Sequence, residues 1–363
     1  MRCALEREIL VEALGTVVNV LPGKATYPVY QNILLEVEKG KLAITGADLD
    51  NTVRREIELT EEWEAGRVLV DGRRLTGLVQ ASTAKLISVK TTENRVVIAA
   101  DRMKADFTQL APEEFPTLPS LPTEIQLEFP LATLFDMFDT CSFAVSRDES
   151  RPIMTAVNWE VGKTESRMVA TDSIRLAFVR RKVKSQNKVK LLVTPKAIEL
   201  LPRGEEKVEV FADQKLVGFK LKDTTVISRM IEGQYPNYEQ VIPKNLPAQA
   251  VINREQLISA MRRALIFTNP IAHSVSIEFA AKHIIIRAKS EVGETEEELD
   301  CQFKGDNLTA GFNGMYLLDI INHIKTEELI FELSSPMTPV VIKPAVKQDD
   351  GEDLFIIMPV RLE

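Results

Sequence analysis

One apolar helical phrase occurs three times along the chain, and it constrains the fold more than any other feature. LEREILVEALGTVVNVLP begins at Leu5, FPLATLFDMFDTCSFAVS at Phe129 and INREQLISAMRRALIFTN at Ile252, giving offsets of 124 and 123 residues. In each copy apolar side chains recur a helical turn apart, as at Leu10 and Leu14, Leu134 and Phe138, and Leu257 and Met261. A chain of 363 residues is too long for one ordinary core. The repeat divides it into three units of about 121 residues.

Short alternating strands follow each helix, as in NILLEVEKGKLAITG, where Gly40 falls at a hairpin tip. A second helix is predicted near VDGRRLTGLVQAS, VTPKAIELLPRG and FNGMYLLDIINHIK. Two copies close on Pro-rich phrases, EEFPTLP around Pro116 and GQYPNYEQVIP around Pro236, which are 120 residues apart. Proline cannot continue a helix or a central strand, so these phrases read as extended links. The third copy ends on IIMPVRL. The expected fold is α+β: three pseudo-repeated domains at 1–120, 121–245 and 246–363, each with two helices and antiparallel sheets.

Hydrophobic residues at 45% and charged residues at 27% give a globular balance. No apolar run reaches the roughly 18 residues of a spanning helix, and Glu6, Glu8 and Glu12 sit where a signal peptide would be apolar. A cytoplasmic location is expected. Cys3, Cys141 and Cys301 are odd in number and far apart, and His273, His283 and His323 lack ligand spacing. The case for a metal-dependent enzyme would rest on Asp48 and Asp50 in GADLD and Asp172 in ATDS. Asp48 and Asp172 lie 124 residues apart, and a repeated turn explains them better, since Asp bonds its own backbone in turns. Glycine loops for phosphates, nucleophile elbows and Cys-His pairs are missing. No catalytic residue, cofactor or metal is assigned.

VATDSIRLAF from Val169, MIEGQYPNYEQVIPKN from Met230, AGFNGMYLLDII from Ala310 and IIMPVRL from Ile356 together resemble the bacterial DNA polymerase III beta subunit, the sliding-clamp family. The resemblance runs along the whole chain. It implies two protomers of three domains closed head to tail into a ring, with helices lining the hole and sheets forming the outer wall. It implies an accessory processivity factor, not an enzyme, that encircles duplex DNA without reading its sequence. Implied partners are a second copy, the polymerase III alpha subunit, the clamp loader, and other polymerases and repair proteins bearing clamp-binding motifs. An alternative within the resemblance is a clamp-like paralogue acting as a scaffold or an antibiotic-resistance variant.

Three sets of residues follow from it. One ring edge is the strand RMKADF, with Arg102, Lys104 and Phe107, and its partner is ETEEELD, with Glu294, Glu296, Glu297 and Glu298, backed by Ile266 and Phe267. Taken alone, ETEEELD reads as a solvated acidic edge; the opposite charge of the two strands favours pairing.

A net charge of −8 argues against a tight grip on phosphate, so the hole should carry only a modest local basic excess. Candidates in the first domain are Lys24, Arg73, Arg74 and Lys85; in the second, Arg147, Arg151, Lys196 and Arg203; in the third, Arg254, Arg262 and Arg263. Glu6, Glu8, Glu12, Asp136 and Asp139 offset them on the first helices. Pro152 and Ile153 stand where family members place DNA-contacting aromatic or polar residues.

The third set is an apolar groove for short peptides. The second domain supplies Met154, Thr171, Ser173, Arg175 and Leu176, and the link supplies Pro236, Gln240 and Val241. The third domain supplies Asn313, Tyr316, Met337, Pro339, Met358, Pro359, Val360 and Arg361. Ser173 and Ile174 replace the Gly and His of the common pattern, and Gln240 stands where some members carry a basic residue.

Overall fold

The computed structural model describes residues 1–24, 27–185, 187–204, 206–346 and 351–362. One element order runs through it three times. The first copy is β1 (Arg2–Glu6), α1 (Arg7–Val18), β2 (Asn32–Glu38), β3 (Lys41–Ala47), β4 (Asn51–Glu58), β5 (Gly66–Asp71), α2 (Gly72–Ala81), β6 (Leu86–Thr91), β7 (Arg95–Ala100) and β8 (Met103–Thr108). The second is β9 (Ile125–Pro130), α3 (Leu131–Cys141), β10 (Val157–Val161), β11 (Glu165–Thr171), β12 (Arg175–Lys182), β13 (Val189–Val193), α4 (Pro195–Glu199), β14 (Lys207–Ala212), β15 (Leu216–Lys220) and β16 (Thr224–Arg229). The third is β17 (Ala248–Asn253), α5 (Arg254–Ile266), β18 (Ser274–Phe279), β19 (His283–Ser290), β20 (Gly293–Lys304), β21 (Leu308–Asn313), α6 (Gly314–His323), β22 (Glu328–Leu333), β23 (Val340–Pro344) and β24 (Gly351–Ile357). The first helices open 124 and 123 residues apart, the spacing of the sequence repeat.

Strand order repeats as well. β5-β2-β3-β4 becomes β13-β10-β11-β12 and then β21-β18-β19-β20, while β1-β6-β7-β8 becomes β9-β14-β15-β16 and then β17-β22-β23-β24. Successive copies are stitched through these sheets. β4 pairs with β16 and β12 with β24, both antiparallel, so each joint continues a hydrogen-bond ladder.

The chain divides into two compact units, Met1–Ala132 with Val193–Met230, and Thr133–Leu192 with Ile231–Glu363. In the first, α1 buries Leu10, Ala13, Leu14 and Val17 against β3 and β4. A Cβ on Gly46 of β3 would stand 2.8 Å from the Val17 side chain, so glycine permits the close approach. Asp71 caps α2 by accepting from the Arg74 amide at 2.9 Å. At the hairpin tip Lys39 and Gly40 take φ of 51° and 77°, the two positive values of a tight hairpin turn. In the second unit, Asn253 caps α5 from the Gln256 amide, and Asn313 caps α6 from the amides of Met315 and Tyr316.

The repeated aspartates are turn residues. Asp48 Oδ1 accepts from the amides of Asp50 and Asn51 at 2.9 and 2.7 Å, and Asp172 Oδ1 from those of Ile174 and Arg175 at 2.9 Å each.

Two expectations need correction. The VTPKAIELLPRG helix is only the five-residue α4, opened by Pro195, and the chain turns at Leu200 and Leu201 before Pro202. The Pro-rich links are also not simply extended. They contain single 3-10 turns, Pro112–Glu114 and Tyr238–Gln240, and each is pinned by an aromatic side chain. Phe115 packs with Leu34, Ala47 and Leu69, and Tyr238 with Val169, Leu176, Phe178 and Ile356.

Candidate functional site

The candidate groove residues all lie in the second unit, where the pairing of β12 with β24 brings part of the set together. Arg175 faces Ile357 and Leu176 faces Ile356 across the ladder. One residue beyond, the Met358 amide donates to the Ile174 carbonyl at 2.8 Å. That bond sets the β11–β12 hairpin, with Thr171 and Ser173, beside the tail Met358, Pro359 and Val360. The tail then crosses to β21, where the Val360 amide donates to the Gly311 carbonyl at 2.8 Å. A Cβ on Gly311 would lie 2.6 Å from the Val360 carbonyl, so a larger residue would push the tail off. Asn313 and Tyr316 follow at the start of α6.

Ser173 sits at φ 79°, a conformation glycine adopts freely. Its amide donates to Thr171 Oγ1 at 3.1 Å, its hydroxyl donates to Met154 Sδ at 3.3 Å, and it accepts from Arg151 Nη1 at 3.0 Å. Ile174, Val241, Met337 and Met358 stay 40%, 47%, 54% and 37% exposed. Apolar side chains left in water on adjoining segments are what a peptide groove requires. Pro236, Gln240 and Arg361 are exposed, and Pro339 is half-buried beside β23.

Arg175 does not present free donors. It is 8% exposed, and its Nε, Nη1 and Nη2 donate to Asp172 Oδ2 at 3.1 Å, Asp319 Oδ2 at 2.6 Å and the Phe143 carbonyl at 3.0 Å. The guanidinium lies 4.5 Å from the Tyr316 ring centroid. It ties β12 to α6 through Asp319.

Sequence reasoning missed the supports. Asp172, Asp319, Tyr235 and Tyr238 all lie within the quoted phrases, but periodicity alone cannot show that Asp319 reaches Arg175 across 144 residues. Burial pushes the Tyr238 hydroxyl up to about 12, with the Glu160 carboxylate adding to the shift. It donates to Glu160 Oε2 at 3.3 Å, which ties the link down.

The two edge strands have open sides. β8 ends its sheet, with Phe107 half-buried and Arg102 and Lys104 exposed. β20 pairs with β19 along Gly293–Asp300, whereas β17 covers only Cys301–Lys304, so among the described residues the acidic half keeps one free edge. Its glutamates have partners within the chain: Glu296 with Arg287 at 2.6 Å, Glu297 with Arg263, Glu294 with Lys289 at 3.6 Å, and Glu298 with His283 at 3.9 Å. Ile266, 70% exposed, and Phe267 close α5.

The basic set separates by role. Lys24, Lys85, Arg147, Arg203 and Arg262 are exposed, as is Arg74, which pairs with Asp71 at 3.5 Å. Others are ties within the fold. Arg73 donates to the Leu21 carbonyl at 2.7 Å, Lys196 to Asp48 Oδ2 at 2.6 Å, and Arg254 to the Ile321 carbonyl at 3.1 Å. Arg151 pairs with Asp148 at 2.9 Å, and Arg263 with Glu297.

Among the described residues no helix is long and apolar enough to cross a membrane, and no three His, Cys, Asp or Glu side chains are grouped to hold a metal.

Comparison with known proteins bears on the whole chain. Three family models match in order: DNA polymerase III beta subunit, N-terminal domain, over residues 1–119; central domain, over 128–237; and C-terminal domain, over 239–361. The beta sliding clamp of Pseudomonas aeruginosa is 29% identical, with 100% of each chain covered. That of Chlamydia muridarum is 28% identical, covering 100% of this chain and 99% of the relative. The crystal structure of the DNA polymerase III subunit beta from Pseudomonas aeruginosa superposes with a TM-score of 0.94 at 29% identity, again over 100% of both chains. With the three models taking up nearly its full length in order, the chain belongs to the DNA polymerase III beta subunit family, the beta sliding clamps.

Proposed function

We propose that this chain is the sliding clamp of a bacterial replication machinery, a ring protomer that encircles duplex DNA and tethers the polymerase. It is an accessory processivity subunit and carries out no reaction of its own. Its domains are taken as 1–120, 121–245 and 246–363. The observation that carries the ring is the unfilled joint. β4 pairs with β16 and β12 with β24, a step of twelve strands each time. The next step from β20 runs past the twenty-four strands of one chain and falls on β8 of a second copy. Both strands have an open side, and a head-to-tail joint between copies is heterologous, so it closes a ring when the rotation is a half turn.

Retention on DNA then comes from enclosure, which reconciles an acidic chain with a DNA partner. The groove around Ile174, Val241 and Met358 takes short linear motifs from the polymerase III alpha subunit, the clamp loader and other polymerases and repair proteins, in the cytoplasm. Exposed Ile174 in place of the common His favours a shifted partner preference, as in a specialised paralogue. Affinity for the replicative polymerase's own peptide separates the two readings.

The deciding experiment loads the protein onto a circular plasmid and onto the same plasmid linearised. Retention on the circle with rapid loss from the linear form is expected. Equal loss from both would overturn the proposal.

A further inference from the structure

We infer that Ser173 is a specificity-determining residue of the proposed groove: its hydroxyl pins the Met154 side chain and so narrows the range of apolar peptide side chains that can dock. This role rests on the reading of this face as a peptide groove. The candidate groove residues include three methionines, Met154, Met337 and Met358. A methionine turns about three bonds and repacks around many shapes, so a site lined by free methionines accepts many partners. One of the three is not free.

Ser173 stands at the tip of the β11–β12 hairpin with φ 79°, where any residue bearing a Cβ is strained. The hairpin itself does not demand that conformation. In the first copy Asp48 makes the same aspartate turn, accepting from the amides of Asp50 and Asn51. Leu49 holds the place of Ser173 there, 124 residues earlier, and has no positive φ.

What distinguishes Ser173 is a hydroxyl with two partners outside the hairpin. Its Oγ donates to Met154 Sδ at 3.3 Å and accepts from Arg151 Nη1 at 3.0 Å. Both partners are anchored. Arg151 Nε donates to Asp148 Oδ2 at 2.9 Å, while Asp148 Oδ1 accepts from the Ser150 amide and hydroxyl at 3.0 and 2.6 Å. The Met154 amide donates to the Arg151 carbonyl at 3.0 Å, and its carbonyl accepts from the Ser146 amide at 2.8 Å. With its main chain bonded on both sides, Met154 can adapt only through its side chain, and Ser173 holds the sulfur. On the far side of the same hairpin tip, the Ile174 carbonyl accepts from the Met358 amide at 2.8 Å. Ser173 thus sits between two methionines of the candidate set and restrains the side chain of one.

The test measures fluorescence anisotropy of three fluorescein-labelled peptides, Gln-Leu-Ser-Leu-Phe, Gln-Leu-Ser-Leu-Leu and Gln-Met-Ser-Leu-Phe, with the full chain and with Ser173→Ala and Ser173→Gly. Both variants lose the hydroxyl, but alanine keeps the strained backbone and glycine relieves it. Melting temperature should therefore fall in the first and rise in the second. The tightest and weakest peptides should differ roughly tenfold on the parent, and the spread should narrow to about threefold on both variants. A purely structural role would instead follow stability and leave the glycine variant as selective as the parent. The inference fails if the glycine variant keeps the parent's spread, or if the parent binds all three peptides equally. A parent that binds none of them would overturn the groove reading and this role with it, whereas a selective parent with equally selective variants would overturn this role alone.

Discussion

Arg181 shows how single residues hold the copies together. It is 5% exposed and donates to Asp353 Oδ1 on β24 at 2.6 Å, while also pairing with Asp136 on α3 at 2.8 Å. Lys325 takes the other oxygen of Asp136 at 2.7 Å. Arg55 does the same work at the first joint, where it pairs with Glu12 on α1 at 2.8 Å and with Asp223 at 3.1 Å. Glu12 and Asp136 hold the same place in the repeat, 124 residues apart. A buried arginine with two carboxylates is costly to break by halves, because the remaining charge stays unpaired in a dry site. Arg181→Met should therefore cost about 3 kcal/mol in urea unfolding, and adding Asp353→Leu should recover much of it. A single variant as stable as the parent would refute the role. Burial acts to raise Asp136, but Lys325 and Arg181 outweigh it and hold the carboxyl below its ordinary 3.8. A folded value below the unfolded one stabilises above the unfolded value and is lost as pH falls through the folded value. Thermal scans should show acid destabilisation setting in below that ordinary value, with a flatter profile in Asp136→Asn; identical profiles would exclude this carboxyl as a contributor.

Elements with a strong period could be read from the sequence, and short ones could not. α1, α3 and α5 lie within the repeated phrases because each carries an apolar stripe over three turns. α4 could not be read correctly, since Leu200 and Leu201 continue the helical spacing of Ala197 and Ile198 although the helix stops at Glu199. The groove residues were named through resemblance; their convergence depends on the β12–β24 ladder, which local pattern does not encode. Deleting residues 358 to 363 removes the tail that bonds Ile174 and Gly311, so binding of a Gln-Leu-x-Leu-Phe peptide, expected in the micromolar range, should vanish in calorimetry. Unchanged affinity in the truncated protein would discard the site. The open edges invert the charge pattern of the closed joints. Arg55 and Arg181 sit on the leading strands β4 and β12, whereas β20 leads with Glu294, Glu296 and Glu298, and β8 answers with Lys104. Such inversion discourages β20 from pairing with the wrong edge. Phe107→Asp on β8 should give monomers by sedimentation, and an intact dimer would remove that strand from the interface.

For the molecule as a whole, net charge pointed away from DNA and repetition pointed toward it. Only the second could be read as architecture, because charge counts say nothing about topology. At least six of the eleven basic candidates, Arg73, Arg74, Arg151, Lys196, Arg254 and Arg263, are engaged by the chain's own groups. Few cations remain to grip phosphate, so release from a closed circle should depend only weakly on salt, in contrast with the steep decline of proteins that hold DNA by ion pairs.

Two segments of the proposed groove are adjacent strands of a single sheet. Arg175 and Ile357 are opposite rungs, so the ladder fixes how the start of β12 and the tail at Met358 lie beside one another. A site preformed in this way is expected to distinguish its proposed visitors chiefly by how long each one stays.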